Sequence, residues 1–76
     1  MTSTPIQPVR VHETPITLQN LLKFANLVPS GGEAKIAITA GQVTVNGETE
    51  TRRGRKLSAG DVVGYAGKFF EIVTGD

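Results

Sequence analysis

SGGEAKIAITAGQVTVNGETETRRGRK, residues Ser30 to Lys56, is the stretch that decides the fold. Ser30-Gly31-Gly32-Glu33 has the form of a capping box, in which a Ser side chain accepts from the amide three residues on and Glu33 reaches back. Ala34, Ile36, Ala37, Ile38 and Ala40 then cover a broad apolar arc of a helix, and Lys35, Thr39, Gly31 and Gly32 fill the polar strip. So wide an arc asks for two neighbours, another helix on one side and a sheet on the other. Gly41 supplies the left-handed residue that ends the helix. Val43-Thr44-Val45, Asn46-Gly47, Glu48-Thr49-Glu50 alternates around a dipeptide that tolerates positive φ at both turn positions, the strongest short-range sign of a hairpin. Arg52, Arg53, Gly54, Arg55 and Lys56 follow as a loop or frayed strand.

Working outward, Val9-Arg10-Val11-His12 reads as a short edge strand with its valines inward, stopped by Glu13-Thr14-Pro15. Thr17 is placed to cap a first helix from Leu18 to about Leu27, with Leu18, Leu21, Leu22 and Ala25 on one face and Gln19, Lys23 and Asn26 on another. Pro29 ends it. Residues 1–8, with Pro5 and Pro8, read as a loose arm, so that 9–76 make one domain. Downstream, Ser58 to Asp61 is a turn, and Val62–Tyr65 and Phe69–Val73 form a second hairpin across Ala66-Gly67-Lys68. The expected class is α+β: two packed helices against one face of a small antiparallel sheet, with a C-terminal hairpin.

Composition narrows the chemistry. With 76 residues there is room for one core. The absence of cysteine removes disulfides, thiolate catalysis and thiolate zinc sites, and the single histidine, His12, cannot build the usual metal site. No apolar run approaches the ~20 residues of a membrane span, and a cytoplasmic chain is expected. No motif flags a catalytic nucleophile: Ser3, Ser30 and Ser58 sit in arm, cap and turn. Glu48 and Glu50 read as a wet strand face. Neither an enzyme nor a cofactor is expected. The formal charge is only +1, yet four of the eight bases, Arg52, Arg53, Arg55 and Lys56, fall within five residues. That cluster reads as phosphate contact through guanidinium forks, with Gly54 leaving the backbone free to follow a ligand, or else as a solvated loop. Gly31-Gly32 reads as an anion seat at a helix start, or as a plain capped helix. Lys35, one turn from Gly31, sits beside that seat. Four aromatic residues are few for a single-strand stacking platform, so a nucleic-acid ligand would be read by backbone and shape.

These residues resemble a known family. Leu-x-x-Leu-Leu in the first helix, the Leu-Val-x-Ser link, Glu-Ala-Lys opening the second helix, Gly-x-Val-x-Val-Asn-Gly and a later Gly-Asp-Val-Val are similar to the αL RNA-binding motif, the S-four domain. The resemblance runs from Leu18 to Val63 and extends to the small, free-standing bacterial members. Gly31 stands where many members have arginine, and Gln19 where aspartate is frequent. The resemblance implies two packed helices and a sheet, and binding of structured RNA, commonly ribosomal or transfer RNA. Lys35, Arg52, Arg53, Arg55 and Lys56 match its basic positions.

The combined expectation is a monomeric, non-enzymatic module for structured RNA, ribosomal RNA or an assembling ribosomal particle. Lys35, Arg52, Arg53, Arg55 and Lys56 would contact phosphates and the Gly31 and Gly32 amides would seat one more. This needs Lys35 and the arginine-rich segment side by side, with the arginines not neutralised by neighbouring carboxylates. Two alternatives are a protein–protein adaptor using Ile36 and an exposed Phe69 or Phe70, and duplex DNA binding by the helix pair, for which Lys35 and Thr39 are a poor reading surface.

Overall fold

A computed structural model describes residues 5–75. In chain order the elements are β1 (Ile6–Val11), β2 (Ile16–Thr17), α1 (Leu18–Phe24), α2 (Gly31–Thr39), β3 (Val43–Val45), β4 (Glu48–Thr49), β5 (Lys56–Leu57), β6 (Val62–Tyr65) and β7 (Lys68–Thr74). Five strands form one sheet in the order β1-β7-β6-β3-β4, and β2 pairs separately with β5.

Both helices are cut where their side chains dictate. Thr17 Oγ1 accepts from the Asn20 amide and Ser30 Oγ from the Glu33 amide, so both expected N-caps form, while the return bond from the Glu33 side chain to the Ser30 amide is not made among the described residues. The first helix stops at Phe24, three residues short of the expected Leu27, because Asn26 turns to φ 59° and its amide closes on Lys23. Asn46 and Gly47, at φ 52° and 86°, make the two-residue turn between β3 and β4. Ala66 and Gly67 repeat it between β6 and β7, so Lys68 belongs to the strand and not to the turn.

Alternation divides the sheet into two faces. Val43, Val45, Val63 and Ile72 are buried beneath the helices, packed with Leu18, Leu21, Leu22, Ala34, Ala37, Ile38 and Leu57. Phe70 is buried and Phe69 is 37% exposed, one to each side. Thr44, Gly64 and Phe69, register partners across three strands, lie on the outer face.

Three further expectations change. The sheet is mixed: β1 runs parallel to β7, with Ile6 opposite Phe69 and Val11 opposite Thr74, while the other pairs are antiparallel. Strand β1 is the edge strand expected at Val9–His12, but it runs from Ile6 to Val11, so Ile6, Gln7 and Pro8 are paired chain and not arm; of the rest of that arm, Pro5 is exposed and residues 1–4 lie outside the described residues. Finally, α2 buries only Ala34, Ala37 and Ile38, and Ile36 is 60% exposed. One side of this helix meets both α1 and the sheet, which leaves the rest of the expected arc to solvent.

Candidate functional site

The short pair β2·β5 governs the arginine-rich segment. Ile16 pairs with Leu57 and Thr17 with Lys56, so the chain entering α1 and the chain leaving the loop are held together. The loop then supplies carbonyls to the start of α1: Leu18 N–H donates to Arg55 O at 2.8 Å and Gln19 N–H to Arg53 O at 3.2 Å. These are amides that a helix cannot satisfy from within. The Gln19 side chain continues the chain of contacts, donating from Nε2 to Gly31 O at 3.4 Å. Arg53, α1 and the first turn of α2 are thereby joined through one residue.

Gly31 is packed as well as capped. A Cβ placed there would lie 3.0 Å from Gln19 Nε2 and 3.8 Å from Lys23 Cδ. Lys35 is exposed one turn further along α2. Lys23 is exposed on α1 beside the same spot, a basic residue that the sequence reading left on a generic polar face. Its signal was the one-turn spacing from Gln19. No hydrogen bond or salt bridge links Lys35 to the loop among the described residues. Gly31 and Gly32 begin α2, where amides lack intrahelical acceptors, and Ser30 Oγ takes the Glu33 amide.

The expectation that no carboxylate neutralises the arginines fails for two of the segment's four cations, Arg52 and Arg55, which share Glu50. Glu50, expected on a wet strand face, instead lies just beyond β4, buried, and collects both. Its Oε2 accepts from the backbone amide of Arg52 at 3.1 Å and from Arg52 Nε at 3.0 Å. Its Oε1 accepts from Arg52 Nη2 at 3.0 Å and Arg55 Nη1 at 2.9 Å. The Arg52 side-chain hydrogen bonds are the first cause, followed by Arg55, of a Glu50 carboxyl held well below the usual carboxylate range, at about 2. Arg52 is pushed up in return. The Arg52 side chain remains 72% exposed, whereas Arg55 is drawn in to 33%. Arg53 and Lys56 are exposed and make no salt bridge among the described residues.

The hairpin tip has a structural duty. Asn46 Oδ1 accepts from Val62 N–H at 2.9 Å and Asn46 Nδ2 donates to Asp61 Oδ1 at 3.1 Å, tying the β3–β4 turn to β6. Asp61 Oδ2 also accepts from Ser58 N–H at 2.8 Å, the main reason its carboxyl titrates below the ordinary value. His12 lines a shallow depression with Glu13, Pro15 and Phe24. Among the described residues no group of acidic or histidine side chains is arranged to hold a metal, and no helix is long and apolar enough to cross a membrane.

Against known proteins this geometry has a place. A family model described as the S4 domain matches residues 9–73. The chain belongs to the S4 domain family. Within that family it is 45% identical over 60 residues to "Probable ribosome maturation protein RlbA" of Bacillus subtilis, covering 79% of this chain and 84% of that one. It is 45% identical over 58 residues to YbcJ of Escherichia coli, covering 76% and 83% respectively. The solution structure of YbcJ, described as an αL motif involved in RNA-binding, superposes with a TM-score of 0.68 at 36% identity, covering 96% of this chain and 94% of that one. The S4 fold of two helices against a sheet is therefore shared, and the sequence resemblance is borne out.

Proposed function

We propose that this S4 domain binds structured RNA and performs no reaction on it. The observation that carries the reading is the double attachment of the arginine-rich segment, through Leu18 and Gln19 to α1 and through Gln19 to Gly31. A basic loop fixed to the same face as the start of a second helix is a shaped positive surface, suited to phosphates set at fixed spacing on a folded strand. Arg52, Arg53, Lys56 and Lys35 make the phosphate contacts, Arg55 serves more to hold the loop, and the Gly31 and Gly32 amides seat one more oxygen. Family membership and the described role of YbcJ support RNA as the ligand. The name of the Bacillus relative supports a maturing ribosomal particle and its RNA as the target, and the form we propose to meet it is a cytoplasmic monomer.

Four outward cations predict a log–log slope of affinity against salt of roughly −3 to −4. Titration of a folded ribosomal RNA fragment at several salt concentrations measures it, and a flat response overturns the mechanism. Arg53→Ala is expected to lower the slope by about one while leaving the fold intact. Duplex DNA is expected to compete poorly, since the polar strip of α2 offers base edges only Lys35 and Thr39. An adaptor role has one observation in its favour, the exposure of Ile36. A protein partner retained after nuclease treatment and high salt would select it instead.

A further inference from the structure

Glu50 is the charged side chain that is buried among the described residues, at 7% exposure. It lies behind the exposed Arg52, and the geometry of the pair is specific. Arg52 gives Glu50 the Nε and Nη2 edge of its guanidinium, at 3.0 Å for each contact. The end that carries Nη1, with the second proton of Nη2, is left over and makes no hydrogen bond among the described residues. That free end has the spacing to fork two oxygens of one phosphate. A surface arginine ordinarily gives up its rotamer freedom when it binds. Here the carboxylate, itself locked by the Arg52 amide and by Arg55 Nη1, has already fixed the plane.

We infer that Glu50 is a positioning residue that holds Arg52 with the free end of its guanidinium set to take paired oxygens of an RNA backbone phosphate. The inference rests on the RNA-binding reading above and deepens it. Its rival is simple charge counting, in which Glu50 competes with RNA for Arg52 and lowers affinity. The two give opposite signs for the same substitution. Glu50→Gln keeps the size and removes a negative charge, so charge counting makes binding tighter. Loss of positioning makes it weaker, because an amide offers one acceptor oxygen where the carboxylate offers two, and its NH2 would face a guanidinium N–H.

RNA affinity is measured at several salt concentrations for the wild type, Glu50→Gln, Arg52→Ala and the double variant. Exchange of the Arg52 Nε proton is followed by NMR in the free wild-type protein. Glu50→Gln is expected to weaken binding roughly tenfold, the loss of a hydrogen bond to a charged group, and to have almost no effect in the Arg52→Ala background. The Arg52 Nε proton is expected to exchange more slowly than that of Arg53. Unchanged or tighter binding by Glu50→Gln overturns the inference, as does an equal loss in both backgrounds or equal exchange at the two arginines. Arg52→Lys keeps the charge and leaves Glu50 its bond to Arg55, so it tests the same point if Glu50→Gln does not fold; full affinity there overturns the inference too. Failure of the wild type to bind any folded RNA overturns the function reading and the inference together. Binding with the wrong sign at Glu50 overturns the inference alone.

Discussion

At residue 50 the chain places a carboxylate where the pattern of the strand gave no hint of one being needed. Glu48 and Glu50 alternate as solvent-facing residues would, yet Glu50 ends the ladder with its amide on Val43 O and turns its side chain toward Arg52 and Arg55. The consequence is a pH dependence of known sign. A carboxyl that titrates at about 2 in the folded chain and ordinarily at 4.5 contributes stability fully present above the higher value and lost as pH falls toward the lower. The melting temperature of the wild type is expected to fall across that window more steeply than that of Glu50→Gln, which has no such proton to take up. Thermal melts followed by circular dichroism at a series of acidic pH values check it. The sequence advertised the bases and hid their partner, because the chain from Glu50 to Arg55 forms no regular element and it is its bend that brings both arginines onto one carboxylate.

The elements themselves were largely legible. Thr17 and Ser30 announced the starts of α1 and α2, and Asn46-Gly47 the hairpin, since each is a local rule with one dominant solution. Removing the second cap by Ser30→Ala is expected to cost about 1 kcal/mol of unfolding free energy in urea titrations. What was not legible was whatever depends on a distant partner. The strand β2, two residues long, has no periodicity to detect and exists because Lys56–Leu57 passes beside it. Gly64 is the same kind of case within a clear strand. A Cβ there would meet Thr44 Oγ1 and lie 3.0 Å from the Phe69 ring, both on the outer face. Gly64→Ala is therefore expected to destabilise by about 1–3 kcal/mol, an overpacking cost, and to shift the Phe69 side-chain resonances.

For the molecule as a whole, one small core carries everything. Ile38→Ala, at a fully buried position of α2 in the core, is expected to cost about 2–5 kcal/mol. That is a large share of what so short a domain possesses, so the denaturation midpoint should fall far. The overall class was readable because capped helices and tight hairpins are consecutive in the chain. The proposed phosphate-binding residues were readable as a run, but their attachment was not: the Leu18 and Gln19 backbone amides hold the run to α1, and the uncharged Gln19 side chain carries the link on to Gly31. The parallel pairing of β1 was equally invisible, because a parallel partner can lie anywhere downstream.

That pairing has a bearing on how the protein is born. A ribosome extrudes Ile6–Val11 well before Lys68–Thr74, yet these two are neighbours in the finished sheet. Throughout synthesis the earliest strand must wait with its hydrogen-bonding edge unclaimed. A nascent chain stalled after the first hairpin can cap its helices and close its turns, but it has nothing to lay that strand against. Completion of the sheet thus reports that translation has passed Thr74.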